Sequence, residues 1–456
     1  MGISRAIIIL ALAGSSVPAQ LRDPRTSDGL QSVVNSIQPW LAVTGSYYTD
    51  VNTTAGTPGS SGRSIGVSGG VSMTKSFKRT TFTLAYSGSG THYLGKSESQ
   101  TGWNPSNVIS LSIGTQLSKR LTLDFGEFAG ASAGGFGITS WGMPTSANGV
   151  VGSIGVAGGN SAGGGATLPP GSSTTNPLQN NLVDTQYSSQ MTYFSNSSGS
   201  LGVLLSKRTM LSFGGSAYLA RRQGSSFTDS NGYTGNVGMS TYWTHRFSTN
   251  VGYSFTRIDY IKSIGSTNIQ SVTVGAQYRI STRDSIAGTF GESFVNSQFL
   301  ASLTLPPDIA LLLGVPQVYF IENVSQKFLS GSVSYNHSFQ HSGLGISCSS
   351  GIVPGNDLLL LSRSESCAVF LSRPLTSRLS VSGVGGASRL TGLAQAGDRY
   401  DVYNVGLSFS YRFIGGLAFT AGGGYYDNEI KPSSASTSTA YATAGLYWAP
   451  QHGLRF

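Results

Sequence analysis

The chain has 456 residues, 10% of them charged, with 62 glycines and a formal net charge of +9. Typical globular domains carry roughly 25% charged residues, so this composition excludes an ordinary soluble enzyme. High Gly and Ser content is compatible with disorder, but Val, Leu, Phe and Tyr alternate with small polar residues along most of the chain, a pattern that disorder does not require.

The N-terminal stretch MGISRAIIILALAGSSVPAQ carries one cation, Arg5, then a short apolar run from Ala6 to Gly14 and the small-residue group Val17-Pro18-Ala19. This predicts a secretory signal over residues 1–19, cut after Ala19. The competing reading is an anchor helix. It needs about 20 apolar residues to cross a bilayer, more than this run supplies. Residues 20–39 are expected to form a periplasmic segment ahead of the folded body at 40–456.

That body reads as a repeated hairpin. Its clearest copy is Val108–Phe128, where Ile109, Leu111 and Ile113 alternate with Ser110, Ser112 and Gly114. A Ser118-Lys119-Arg120 turn follows, and the alternation resumes with Leu121, Leu123 and Phe125. Period two places apolar residues on one face of a strand and polar residues on the other. In chain order, the hairpin turns fall at Lys75–Arg79, Ser118–Arg120, Ser206–Arg208, Arg246–Asn250, Arg279–Arg283, Phe339–Ser342, Ser372–Arg378 and Arg412–Gly415. These account for about sixteen strands. Alternating runs at Trp40–Tyr48 and Thr439–Trp448 raise the count to about eighteen. The predicted fold is all-β, a transmembrane antiparallel up-and-down β-barrel of about 18 strands, with about 16 as the alternative. Short turns belong on the periplasmic side and long loops outside. Residues 129–196, rich in Gly and Ser, form the expected third outer loop, and residues 296–326 the sixth.

The faces separate cleanly. Ser64, Gly66, Ser68, Gly70 and Ser72 share one phase, as do Ser330, Ser332, Ser334 and Asn336, and Gly406, Ser408, Ser410 and Arg412. The opposite assignment would turn rows of Ser and Asn toward lipid. Tyr47, Trp243, Tyr278, Tyr411 and Trp448 stand near strand ends, where interfacial girdles lie. Gly and Ser cannot fill so wide a barrel, so the lumen must hold water, a folded-in loop, or both.

Three basic residues fall in the inward phase near the periplasmic mouth: Arg246, Arg279 and Arg412. Asp124 is a further lumen candidate. One reading is a positive ring that focuses anions; the other is turn chemistry screened by solvent. Cys348 and Cys367 flank a turn-like segment and sit opposite each other in an antiparallel hairpin. A disulfide and a pair of small wall residues both fit. No catalytic residue is assigned, because a Ser–His nucleophile pair needs converging side chains. Local spacing gives none of His92, His245, His337, His341 and His452 a Ser or Asp partner. Two cysteines without a nearby His make no zinc site, and no metal or cofactor is expected. The glycine clusters do not sit between a strand and a helix, as a phosphate loop requires. The basic residues are spread over separate turns rather than forming a nucleic-acid-binding stripe.

On these residues the chain resembles bacterial outer-membrane β-barrels of the porin type over nearly all of 40–456, with no subfamily assigned. Gly126-Glu127-Phe128-Ala129-Gly130 is similar to the opening of the third outer loop of general porins, although that loop's acidic cluster has no counterpart here. Its pore residues are therefore not carried over. Phe456, with Leu454 in phase, resembles the aromatic end recognised by the barrel-assembly machinery; Pro450 interrupts that run. The resemblance implies a bacterial outer-membrane location, with outer-membrane lipid, lipopolysaccharide and the assembly machinery as partners. It implies a porin-like channel for passive passage of small hydrophilic solutes, anionic ones among them. Two alternatives stay open. One is the barrel of an exopolysaccharide export system with a periplasmic export partner, and the other a plugged barrel with an adhesion or anchoring role. Neither enzymatic activity nor a nucleic-acid partner is expected.

Overall fold

The computed structural model describes residues 36–53, 61–94, 102–133, 191–223, 229–261, 265–304, 308, 311, 317–339, 342–354, 361–393, 399–431, 435–450 and 454–455. The expected signal at 1–19 lies outside the described residues. The strands are β1 (Ser36–Thr53), β2 (Ser61–Ser76), β3 (Thr80–Tyr93), β4 (Gly102–Ser118), β5 (Leu121–Ala133), β6 (Met191–Leu204), β7 (Thr209–Arg222), β8 (Ser230–Tyr242) and β9 (Phe247–Tyr260). They continue with β10 (Gly265–Arg279), β11 (Asp284–Thr304), β12 (Gln317–Ser338), β13 (Gly343–Pro354), β14 (Leu361–Pro374), β15 (Leu379–Gly392), β16 (Arg399–Arg412), β17 (Leu417–Lys431) and β18 (Ala435–Trp448). A two-residue β19 (Leu454–Arg455) follows.

Each of β1 to β18 pairs antiparallel with its chain neighbours among them, and β1 pairs with β18 from Leu41↔Trp448 to Thr53↔Thr437. That last pairing closes the sheet. A closed wall has no open edge and satisfies its backbone groups internally, as a bilayer demands. Both outer alternating runs are wall strands, so the larger of the two expected counts applies. β1 begins at Ser36, so the end of the segment expected in the periplasm belongs to the wall. β18 stops at Trp448, just before Ala449 and Pro450, and the ladder resumes where Leu454 and Arg455 pair with Ile37 and Ser36. Proline cannot donate to a ladder, which accounts for the gap.

The short turns share a side-chain device. The hydroxyls of Ser206, Thr244, Ser281 and Thr376 each accept from the backbone N–H groups two and three residues ahead, at 2.9–3.2 Å. Ser118 accepts the first of these bonds from Arg120 at 3.2 Å. A hydroxyl that satisfies two turn N–H groups fixes the reversal. The residue before each hydroxyl is apolar (Leu117, Leu205, Trp243, Ile280, Leu375), and the residue two after it is arginine (Arg120, Arg208, Arg246, Arg283, Arg378). One short motif therefore makes the turn and places a cation at the periplasmic rim. The β16–β17 turn works differently, through Gly415 at φ 78° and Gly416 at φ 84°, a backbone conformation that costs glycine little.

Two boundaries differ from expectation. β5 runs on to Ala133 and β6 begins at Met191, so Gly126–Gly130 lies within a strand and does not open a loop. β11 and β12 have 21 and 22 residues, against about 9–11 needed to span a bilayer. Their ladder continues through Leu300↔Ile321, Ala301↔Phe320 and Leu303↔Val318. The backbone ladder thus extends past the membrane, and the sixth loop starts only after Thr304.

The burial pattern is the inverse of a soluble protein's. Phe290 and Leu329 are 64% and 62% exposed, while Ser293 and Ser297 are 3% and 4% exposed. The apolar row faces outward around the barrel and the hydroxyl row faces inward.

Candidate functional site: the lumen wall

Inward positions on neighbouring strands fall directly opposite one another, and their hydroxyls pair. Thr234 bonds Thr256 at 3.0 Å, Thr267 bonds Ser297 at 2.7 Å and Ser271 bonds Ser293 at 2.8 Å. Thr289 bonds Ser332 at 2.7 Å, Ser349 bonds Ser366 at 2.9 Å and Ser382 bonds Ser408 at 2.7 Å. Each hydroxyl has one donor and two acceptor sites, so capacity remains after pairing. The result is a neutral, hydroxyl-rich inner face from β8 to β16.

Large inward side chains are kept flat. A Cβ added at Gly232 would lie 2.1 Å from the Tyr218 ring, and one at Gly62 would lie 2.1 Å from Tyr48. Trp40 covers Gly70 and Phe194 covers Gly130 in the same way. In every case the ring and the glycine are direct cross-strand partners. The glycine lets the ring rest on the neighbouring backbone. Gly232→Val is expected to lift Tyr218 off the wall, lowering single-channel conductance and costing about 1–3 kcal/mol of stability. Conductance equal to the parent's would mean that the ring is accommodated within the wall.

Toward the extracellular end the lining changes. Tyr218, Ile258, Ile269 and Val295 form a buried apolar patch, with Phe328 and Leu393 packed against it. Leu393 follows β15, five strands round the wall from β10, so side chains from separate arcs of the wall meet at this level.

The expected charged residues are placed as follows. Asp124 lies on the inward phase of β5, across Gly114 and within 3.5 Å of the donating Ser200 hydroxyl. Arg279 and Arg412 are the terminal residues of β10 and β16, both on inward-phase positions. Arg412 pairs with Ala418, which is buried. Arg246 is not in the wall: it belongs to the turn before β9, where its motif puts it, and its carbonyl accepts from the Arg279 N–H at 2.7 Å. Arg246 and Arg279 are thus neighbours, while Arg412 stands six strands away. The three make two separate basic points at the mouth and not a ring.

Local spacing does not reveal two of the three clusters on the outer face. His337 Nδ1 lies 2.5 Å from Asp284 Oδ1, which also accepts from the Tyr335 hydroxyl at 2.8 Å. This overturns the expectation that no histidine has an acidic partner; the pair is 53 residues apart in sequence and meets through β11–β12 register. Ser338 falls on the opposite face, as strand alternation requires. Glu127 points outward from β5 and accepts from the Ser195 and Ser197 hydroxyls. Cys348 and Cys367 are register partners across β13 and β14 and are disulfide-bonded, with Cα atoms 4.0 Å apart.

A closed eighteen-strand antiparallel barrel, apolar outside and hydroxyl-lined inside, is an outer-membrane β-barrel of porin-like build. No protein family matches the chain, and no curated protein does. Solved structures with a similar fold include OccAB4 of Acinetobacter baumannii, 8% identical, covering 91% of this chain and 99% of that one with a TM-score of 0.45. OprD of Pseudomonas aeruginosa is 9% identical over 92% of this chain and 99% of that one, with a TM-score of 0.40. The open form of the ferric-catecholate import receptor Fiu of E. coli K12 is 8% identical over 89% and 81%, with a TM-score of 0.42. These likenesses concern the fold alone.

Proposed function

We propose that the barrel is a passive channel for small hydrophilic solutes with a preference for anions. The observation that carries this reading is the inner wall, where hydroxyls pair in register and aromatic rings lie flat on glycines. Such a lining offers hydrogen bonds of both polarities without a charged binding site, which suits transit better than capture. Arg279 and Arg412 at the mouth favour anions by raising the local potential. Purified protein in planar lipid bilayers should give steady single-channel currents with reversal potentials on the anion-selective side. A barrel that is correctly folded by its heat-dependent gel migration but electrically silent would overturn the proposal.

A further inference from the structure

The sheet closes around its full circumference, but one seam is zipped only part of the way up. β12 and β13 pair from Ser338↔Gly343 to Gly331↔Ser350, eight pairs. Every other seam between consecutive strands from β1 to β18, and the closing seam between β1 and β18, has twelve or more. Above Gly331 and Ser350 both strands go on. β12 stays laddered to β11 as far as Gln317, and β13 to β14 as far as Pro354. Among the described residues no backbone pairing joins β12 to β13 there. Gly331 and Ser350 each lie seven residues from the periplasmic end of their strand. At about 3.3 Å per residue and a tilt of about 40°, the pairing stops about 18 Å up an apolar band about 25 Å tall. Hydrocarbon does not tolerate an open sheet edge; at membrane depth, unpaired backbone persists where it lines a cavity.

A cavity is present. A groove of about 620 Å³ on the outer wall takes in both lips of the seam, Leu329 and Gly331 from β12 and Ser350 from β13. That volume falls within the roughly 300–1,000 Å³ of small-molecule sites. Leu329 is 62% exposed at its edge. The arginines farther up, Arg363 and Arg389, are engaged with Glu365 and Asp401, so what the groove offers an occupant at the seam is apolar surface.

Behind the seam lies the inner-wall patch of Tyr218, Ile258, Ile269 and Val295. One residue from each lip packs against it: Phe328 of β12 and Ile352 of β13. Phe328 is on the inward row. Ile352 is in phase with Cys348 and Ser350, on the outward row, and it reaches the inner patch because the seam beside it is open. An apolar groove outside and an apolar cluster inside therefore meet at one gap in the wall.

We propose that this seam is a lateral passage for small, uncharged, apolar molecules between the extracellular half of the lumen and the hydrocarbon of the outer leaflet. Phe328 and Ile352 close it from within and turn aside for transit; the groove is where the molecule emerges. The polar headgroup layer is the barrier such a molecule meets unaided. A route that enters by the hydrated mouth and leaves at hydrocarbon depth avoids that layer, and burial of apolar surface drives the transfer. The route uses only the extracellular half of the lumen, so it stands apart from ion conduction through the whole channel.

Uptake of N-phenylnaphthylamine, an uncharged dye that brightens in hydrocarbon, tests this in intact cells carrying the full-length barrel in their outer membrane. The parent should speed uptake relative to cells without the barrel. Ser350 stands at the root of the seam, and its buried hydroxyl has no hydrogen-bond partner among the described residues. Ser350→Trp should return uptake to the rate of cells without the barrel, while single-channel ion current stays at the parent's value. Phe328→Ala with Ile352→Ala should raise uptake above the parent's. Equal uptake in parent and Ser350→Trp cells at equal barrel amounts would overturn the proposal, since the dye would then be entering by general leakage. Parent cells no faster than cells without the barrel would overturn it as well. Should Ser350→Trp fail to fold, an apolar iodophenyl diazirine photolabel decides on the parent protein. It should mark Phe328 and Ile352 as well as Leu329; label confined to Leu329 and other lipid-facing residues would make the groove a recess for acyl chains and sink the passage.

Discussion

Replacing Leu407 with arginine is expected to destabilise the barrel by about 2–4 kcal/mol, whereas arginine at the adjacent Ser408 should change stability by no more than about 1 kcal/mol. Leu407 is 49% exposed on the outer face and is flanked in register by Gly383 and Gly423. It lies four residues from the girdle residue Tyr411 on the same strand, about 10 Å into the apolar band. A cation there has no partner but hydrocarbon. Ser408 faces the lumen, where a guanidinium meets water and loses only the bond to Ser382. Guanidinium chloride unfolding in lipid vesicles measures the difference. Equal losses at the two positions, or a larger loss at Ser408, would contradict the phase on which the hydrated lumen rests.

Neutralising Arg279 and Arg412 together to Gln is expected to lower the anion-to-cation permeability ratio by roughly two- to fourfold in about 0.1 M salt. A unit charge about 8 Å from the path, in water, changes local ion concentrations about twofold, in opposite senses for the two signs. In about 1 M salt the Debye length shrinks to about 3 Å and the effect should nearly vanish. Arg246→Gln alone should matter less, because Arg246 sits in a turn beyond the wall. Reversal potentials measured under a salt gradient decide the point. Unchanged selectivity in the double variant would remove both arginines from the pathway.

The strand count was legible because the hairpins are marked by short turns, five of them built as an apolar residue, a hydroxyl, a spacer and an arginine, as in Leu205-Ser206-Lys207-Arg208. The inward rows at Ser64–Ser72 and Ser330–Asn336 were legible for the same local reason, since alternation depends only on near neighbours. What stayed hidden depends on register between distant segments. Asp284 and His337 carry no local sign of one another. The outward carboxylate of Glu127 gives no hint of Ser195 and Ser197 some seventy residues on. Arg246 was misplaced by a small shift: in phase by parity, it belongs to a turn whose hydroxyl cap at Thr244 fixes where β9 begins. The lengths of β11 and β12 were missed because polar residues such as Asn296, Gln298 and Asn323 interrupt the apolar alternation over a ladder that the backbone continues.

The position of the disulfide constrains the order of events in assembly. Cys348 is five residues beyond Gly343, where β13 begins, and so sits about 13 Å above the periplasmic end, near the middle of the hydrocarbon. Both sulfurs are on the outward phase. Thiol–disulfide exchange proceeds through a thiolate, and hydrocarbon does not support that charge. Once the barrel is inserted, water-borne oxidants and reductants have no route to this pair. The bond must therefore be made before the wall meets lipid, by oxidation of a chain still in the aqueous periplasm. From then on it is a record of that passage, fixed until the barrel is taken out of its membrane.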